Sequence, residues 1–227
     1  MDKRLDRFSL IVGEEKVASL KSKTVLVCGL GGVGGTCLES LSRSGVGSFI
    51  IVDFDRVDLS NLNRQILFDN ADVGEMKVIA AQARIKQINE DINVSIYSSR
   101  VDDLLLKDLG RYDIDFVIDA IDTPSAKQML INYCFAQKIP FICSLGMANR
   151  LDPTAVRVGS LDETRLDPLA KKMRALLRKD KIDLSKVPVV YSLEKPISSG
   201  RTLGSVMNVP SAAGLALSYF CLEYLLK

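Results

Sequence analysis

Short runs of β-branched and aliphatic residues alternate with amphipathic stretches of helical length from Thr24 onward. This alternation predicts a βαβ series, in which a mostly parallel sheet carries helices on both faces. The sequence therefore indicates an α/β, Rossmann-like fold. Strands are predicted at six places: Thr24–Cys28, Ser48–Val52, Val94–Tyr97, Phe116–Asp119, Phe141–Ser144 and Ala155–Val158.

Capping residues mark the starts of three helices. Asp72 and Glu75 have the spacing of a capping box. Two further caps stand before a proline, the residue favoured at the first helical position: Thr123–Pro124 and Asp167–Pro168. A basic helix is predicted near the second of them from seven cations: Arg165, Lys171, Lys172, Arg174, Arg178, Lys179 and Lys181.

The chain has no histidine. A Ser–His–Asp triad and histidine metal ligands are therefore excluded, which leaves carboxylates, lysine, arginine and bound metal to carry a reaction. The five cysteines are odd in number, lie mostly in apolar runs and show no C-x-x-C spacing. They predict free thiols in a reducing compartment, and with no secretory signal after Met1 the expected location is the cytoplasm. The formal charge of +2 neither requires nor excludes a nucleic-acid partner.

A glycine-rich turn follows the first predicted strand. Its glycines are Gly29, Gly31, Gly32 and Gly34, and the next strand ends at Asp53 and Asp55. Such a turn lets the backbone approach a nucleotide at a helix N-terminus, and Asp53 is placed to accept hydrogen bonds from ribose hydroxyls. On these residues alone an NAD dehydrogenase is the first interpretation, and glycines that only let a helix pack on a strand are the alternative.

Cations and carboxylates farther along change that interpretation. Arg64 and Lys77 could neutralise charge on a leaving phosphate, Asn61 could bind a phosphate or ribose oxygen, and Asp122 could hold Mg²⁺. A triphosphate needs this set, whereas hydride transfer does not. Taken singly, Arg64 or Lys77 is more often a solvated surface charge, and Asp122 more often a helix cap; their joint occurrence in this order favours the functional interpretation.

The order of these motifs resembles the ThiF/MoeB/ubiquitin-activating-enzyme adenylation fold, roughly from Leu20 to Leu151. The shared motifs are the glycine turn, Asp53-Phe-Asp55, Ser60-Asn-Leu-Asn-Arg64-Gln, Gly74-Glu-Met-Lys77 and Asp119-Ala-Ile-Asp122. The resemblance implies ATP contacts from Gly32, Asp53, Ser60 to Arg64, Lys77 and Asp122. It also implies that Asp122 is the metal-binding, catalytically required aspartate.

We therefore expect a single ThiF-type ATP-binding domain over residues 1–227. It would comprise an N-terminal arm at 1–20, a nucleotide-binding core at 21–158, and a basic helix, loop and apolar helix at 159–227. The apolar stretch Pro210–Leu226 favours a packed helix over a membrane anchor, since Glu223 in hydrocarbon would cost about 2–3 kcal/mol.

The branch of the superfamily is indicated by what the chain lacks and by further motifs. Branches that activate a small carrier protein often have paired C-x-x-C motifs and a loop cysteine, and both are missing between Cys143 and Cys221. Further motifs occur over the rest of the chain: Arg7-Phe-Ser, Gly146-Met-Ala-Asn149-Arg, Asp167-Pro-Leu-Ala-Lys171, Val189-Val-Tyr-Ser192 and Val209-Pro-Ser-Ala-Ala-Gly214. In these motifs the chain resembles the tRNA threonylcarbamoyladenosine dehydratases.

That resemblance implies ATP- and Mg²⁺-dependent cyclisation of threonylcarbamoyladenosine beside the tRNA anticodon, through an activated threonine carboxylate. It implies a homodimer and a sulfur-transfer or desulfurase partner, with no DNA partner. The basic helix could contact anticodon-stem phosphates or be a solvated face, and Lys195 and Arg201 could also reach RNA. A second N-terminal arginine expected of the superfamily is missing, with Arg4 or Arg7 as substitutes.

Three alternatives stay open at this stage. They are an adenylyltransferase for a small sulfur-carrier protein, a catalytically silent scaffold, and an NAD oxidoreductase.

Overall fold

The computed structural model describes residues 2–198 and 203–227, and Arg201 lies outside these ranges. Its seven strands form one sheet in the order β3-β2-β1-β4-β5-β7-β6. β6 runs antiparallel to β7, and the other neighbouring pairs are parallel. The strands β1 to β7 span Thr24–Cys28, Ser48–Val52, Asn93–Tyr97, Phe116–Asp119, Phe141–Ser144, Val156–Ser160 and Pro188–Ser192.

The predicted α/β architecture is confirmed, and four of the six predicted strands have the predicted bounds. β3 starts one residue earlier, β6 starts one residue later and continues to Ser160, and β7 was not predicted. β7 escapes prediction because it is short and begins with Pro188, a residue that is depleted in strands. It inserts between β5 and β6, although it comes after both in the chain.

Helices cover both faces of the sheet. Those of the described chain, α1 to α8, span Asp6–Val12, Glu14–Ser19, Gly32–Arg43, Lys77–Ile88, Asp103–Leu109, Pro124–Gln137, Pro168–Lys179 and Asn208–Leu225. Alternate residues of β1 divide between two buried apolar clusters: Val25 and Val27 join α3, α4 and α8, while Leu26 and Cys28 join α5, α6 and α7. This alternation is what a strand buried on both faces requires.

Two predicted helix starts are confirmed and one is wrong. α6 and α7 begin at the prolines that follow Thr123 and Asp167, and an Asp167 oxygen accepts a hydrogen bond from Ala170 N at 2.9 Å. The capping box at Asp72 and Glu75 is absent, because Asp72 instead closes a short 3-10 turn that begins after Asp69. α4 begins later, at Lys77, without a side-chain cap.

The C-terminal apolar segment is a packed helix, as predicted. α8 lies against α3 so closely that a methyl group added to Gly214 would come within 2.5 Å of Val33 O. Leu217 and Cys221 of α8 are fully buried. No helix within 2–198 and 203–227 has both the length and the apolar character that crossing a bilayer demands.

Candidate active site

A cavity of about 910 Å³ opens at the carboxyl ends of the neighbouring strands β1 and β4. In the sheet order β3-β2-β1-β4-β5 this is the place where the chain order of the strands reverses, the usual ligand position in open α/β sheets. Residues that directly follow four strands line the cavity: Gly29, Asp53, Ala120 and Leu145.

Two of the predicted glycines shape the turn that borders the cavity. Gly29 has φ +91°, and a Cβ there would lie 2.7 Å from Ala120 O, so only glycine fits. Gly34 does not line the cavity. A Cβ on Gly34 would lie 1.9 Å from Gly29 O, which assigns this glycine to packing α3 against the turn. Gly31 and Gly32 line the cavity at the start of α3.

Asp53 joins the glycine turn to the end of β2. Its carboxylate accepts hydrogen bonds from Leu30 N at 2.7 Å and from Asp55 N at 2.8 Å. Burial raises the pKa of Asp53, and the nearby Lys77 charge opposes that rise. The same carboxylate lines the cavity and has lone pairs left for a ribose hydroxyl.

Lys77 places a buried cation in the cavity wall. Its side chain is 6% exposed, and Nζ lies 3.1 Å from the Asp55 Oδ2 atom. The Lys77 backbone N–H also donates to Asp55 O at 3.0 Å, so helix start and strand end are fixed together. A desolvated ammonium held this way attracts phosphate more strongly than one in water.

Arg64 lines the same cavity from a short turn that starts after Asp58. Arg64 Nη1 donates to Ser60 O at 2.8 Å and to Asn63 Oδ1 at 2.9 Å. Asn61 also lines the cavity, whereas the Ser60 hydroxyl points to Asp58 Oδ1 at 2.6 Å and lies outside it. The structure thus groups Asn61, Arg64 and Lys77, and leaves Ser60 as a turn-forming residue.

Asp122 lines the cavity on the opposite side of the glycine turn and is exposed. Its one hydrogen bond in the described chain comes from Thr123 Oγ1 at 3.3 Å. The described residues hold no group of three or more His, Cys, Asp or Glu side chains suited to a metal ion. A lone carboxylate suits Mg²⁺ that takes its other oxygens from phosphates and water, so the site fits a metal that arrives with a triphosphate.

The second half of the cavity is lined by residues that were not among the predicted site residues. Asp167 accepts from Gly146 N at 2.8 Å, and its Oδ2 lies 3.7 Å from Arg150 Nη2. Arg150 is buried, which lowers the pKa of its guanidinium, and its Nε donates to Glu194 O at 2.9 Å. In the sequence Asp167 stands out as a helix cap and as part of a dehydratase-like motif, but nothing local indicates that residues 146–150 meet it.

The motif-based assignment agrees with comparisons to known proteins. The sequence profile of the ThiF family matches residues 2–161. The chain belongs to the ThiF family. A curated relative, the tRNA threonylcarbamoyladenosine dehydratase of Bacillus subtilis (strain 168), is 40% identical over 194 residues, 86% of this chain and 76% of the relative. The protein of that name from Escherichia coli (strain K12) is 38% identical over 176 residues, 75% of this chain and 63% of its own length.

The ThiF-family fold extends over nearly the whole chain. A crystal structure of E. coli tRNA N6-threonylcarbamoyladenosine dehydratase, TcdA, in complex with ATP matches with a TM-score of 0.92 and 31% identity, covering 98% of this chain and 93% of that one. The prediction of the ubiquitin-activating-enzyme-like fold is therefore confirmed, and so is the resemblance to the dehydratases.

Proposed function

We propose that this ThiF-family chain uses ATP to dehydrate threonylcarbamoyladenosine in tRNA, closing a ring next to the anticodon. The observation that carries the proposal is one cavity with two unlike halves. The first half combines the glycine turn with Arg64, Lys77 and Asp122, and the second is lined by residues 144–150 and the start of α7. Relatives that bear the dehydratase name match most of this chain, and one of them is solved with ATP.

The chemistry fits the groups the cavity offers. The threonine carboxylate attacks a phosphorus atom of ATP and displaces ADP or pyrophosphate. A neighbouring atom of the same ureido group then attacks the activated carbonyl, releases its proton to solvent and expels phosphate or AMP. One water is lost overall and one phosphoanhydride bond is broken. Because the second attack is intramolecular, it gains a high effective concentration and needs no enzyme nucleophile.

Four of the predicted residues have a role in this scheme. Arg64 and Lys77 would offset charge that grows on the phosphates, and Asp53 would accept from the ribose. Asp122 would hold the Mg²⁺ that accompanies ATP, and the metal would supply Lewis-acid stabilisation of phosphate oxygens. Cys28 also borders the cavity, but burial raises the pKa of its thiol well above the usual value, which disfavours a thiolate there.

The test is incubation with ATP, Mg²⁺ and tRNA that carries threonylcarbamoyladenosine. Nucleoside mass spectrometry should show the loss of one water from the modified base, and chromatography of the nucleotide shows whether AMP or ADP forms. Asp122→Asn should abolish the loss of water. Its control is Asp180→Asn, on the surface beyond α7. Pyrophosphate exchange that requires a carrier protein ending in Gly-Gly, with no change in the tRNA, would indicate the sulfur-carrier adenylyltransferase instead.

α7 is well placed to guide tRNA to this cavity. Its first residues, Pro168 and Leu169, line the cavity, and Ala170, Met173 and Leu177 face the core. Four cations of the helix are exposed and take part in no salt bridge within the described ranges: Lys171, Lys172, Arg178 and Lys179. Since the helix starts at the cavity and runs outward, we expect phosphates of the anticodon stem to lie along it.

Further parts of the proposal concern assembly and location. We expect a homodimer, because exposed apolar side chains remain on α1 and α8: Leu10, Ile11, Leu215 and Tyr219. We expect the protein in the cytoplasm, where its substrate is used in translation and where its five free cysteines would stay reduced. A sulfur-transfer or desulfurase partner is expected from the family. Sedimentation velocity and co-purification test the dimer and this partner.

A further inference from the structure

Two described stretches between β7 and α8, residues 193–198 and 203–207, contribute residues to the cavity lining. Leu203 and Ser205 line the cavity, and Gly204 between them is hydrogen-bonded to Asn149. We call residues 203–205 the wall segment. It belongs to no helix or strand, so its position depends on hydrogen bonds from other parts of the chain.

Asn149 supplies most of those bonds. Its backbone N–H donates to Gly204 O at 2.8 Å, and its Oδ1 accepts from Gly204 N at 2.6 Å. Its Nδ2 donates to Ser198 O at 3.0 Å, and its backbone carbonyl accepts from Ile197 N at 2.8 Å. One residue therefore binds the chain at 197–198 and again at 204.

The backbone conformation of Asn149 explains why an asparagine serves here. Its φ is +58°, in the left-handed region that asparagine enters more readily than most residues. This conformation lets backbone and side chain of Asn149 bind the same residue, Gly204. A Cβ on Gly204 would lie 3.2 Å from Asn149 Oδ1, which is a tight contact, so a glycine suits position 204 as well.

Asn63 anchors the wall segment from the nucleotide half. Its Nδ2 donates to Ser205 O at 2.8 Å, while its Oδ1 accepts from Arg64 Nη1 at 2.9 Å. The wall segment is thus bound to both halves of the cavity. The Asn149 side chain, in contrast, has no hydrogen bond to the glycine turn, Asp53, Lys77 or Asp122 within the described residues.

We infer that Asn149 is a positioning residue for the modified nucleoside, acting through the wall segment. This inference rests on the proposed function. Asn149 holds Gly204, whose neighbours Leu203 and Ser205 line the cavity. Loss of its side chain should weaken productive binding of the tRNA and leave ATP binding unchanged, because Asn149 makes no side-chain hydrogen bond to Arg64 or Lys77 and Asn63 still holds Ser205.

Two substitutions at Asn149 distinguish the loss of its side-chain hydrogen bonds from strain in its left-handed backbone. Asn149→Gly keeps the left-handed backbone accessible and removes both side-chain hydrogen bonds. Asn149→Asp keeps the acceptor for Gly204 N and loses the donor to Ser198 O. Gly204→Ala tests the same contact from the wall segment, because its methyl group presses on Asn149 Oδ1.

The experiment combines kinetics with hydrogen exchange on the full chain. For Asn149→Gly we expect KM for the modified tRNA to rise about tenfold, with kcat and the Kd for ATP within about twofold. Amide exchange of a peptide that contains residues 203–205 should speed up about tenfold. Asn149→Asp and Gly204→Ala should give smaller changes of the same kind.

Two results would overturn the inference, and a third would refute the proposed function on which it rests. Unchanged exchange at 203–205 in all three variants would overturn the anchor. Faster exchange with an unchanged KM would overturn the positioning role. A wild-type protein that binds ATP but leaves the modified tRNA unaltered would refute the proposed function, and the exchange data would still decide whether Asn149 anchors the wall segment.

Discussion

Lys127 and Asp119 form an ion pair with 2.8 Å between Nζ and Oδ1, and their side chains are 0% and 1% exposed. Asp119 is the last residue of β4, and Lys127 lies on α6. The same Asp119 oxygen accepts from Ile121 N at 3.0 Å, one residue before Asp122. The buried pair therefore fixes the turn that presents Asp122 to the cavity.

Replacing one member of this pair should lower the free energy of unfolding far more than replacing both. Lys127→Met leaves a buried carboxylate without its partner, which we expect to cost about 3–5 kcal/mol of unfolding free energy. In the double variant Lys127→Met with Asp119→Asn, no charge remains buried and the Asn oxygen can still accept from Ile121 N. Urea unfolding of both single variants and the double variant measures the coupling, and additive effects would contradict it.

Lys77→Met should affect ATP binding more than stability. The substitution removes the buried cation at the cavity, whereas the partner it leaves, Asp55, is 48% exposed and can be solvated. We expect the Kd for ATP to rise about a hundredfold, since a charge-assisted contact to phosphate is lost. Lys86→Met, an exposed site on the same helix, is the control. Calorimetry that shows equal affinities for the two variants would argue against phosphate binding by Lys77.

Two glycines of the turn, Gly31 and Gly34, should respond differently to replacement by alanine. A Cβ at Gly31 meets its nearest neighbour, Gln65 Nε2, at 4.0 Å, but a Cβ at Gly34 would lie 1.9 Å from Gly29 O. Gly31→Ala should therefore fold with a stability change of about 1 kcal/mol or less and bind ATP more weakly. Gly34→Ala should lose several kcal/mol, about 3 or more, because backbone must move. Thermal unfolding and ATP titration of both variants distinguish the roles, and similar stability losses would contradict this division.

The sequence predicted the elements whose signals are local. Residues 25–28 and 49–52 are continuous apolar runs, and the proline after Asp167 places the start of α7 correctly. The Asp72 capping box failed because Asp69 has the same chemistry three residues earlier and forms the turn first. Asn149 could be quoted as part of a motif but not assigned a role, since its partner Gly204 is 55 residues away. Contacts of that kind depend on how the sheet brings loops together.

Binding of tRNA should lose part of its salt dependence when α7 loses charge. Lys171→Gln with Lys172→Gln removes two exposed cations at the end of the helix near the cavity. If both contact phosphates, the slope of log Kd against log salt should fall by about one per contact. Lys107→Gln with Lys138→Gln, on other elements, is the charge-matched control. An equal slope for both double variants would place the RNA elsewhere.

The pH dependence of stability that Asp53 contributes should have the opposite sign to that of a surface carboxylate such as Asp58. Burial raises its pKa above the usual 3.8, so the folded chain holds this proton more tightly than the unfolded chain does. Its contribution to stability is then fully present below 3.8 and is lost as the pH rises through the folded-state pKa. The unfolding free energy of the wild type minus that of Asp53→Asn should therefore fall as the pH increases from about 4 to about 7.

Hydrogen bonds from Ser60 lower the pKa of Asp58, so the same difference for Asp58→Asn should be lost as the pH falls toward and below 3.8. Urea unfolding from about pH 3 to about pH 7 measures both differences, and slopes of the same sign would mean that Asp53 is not desolvated in solution.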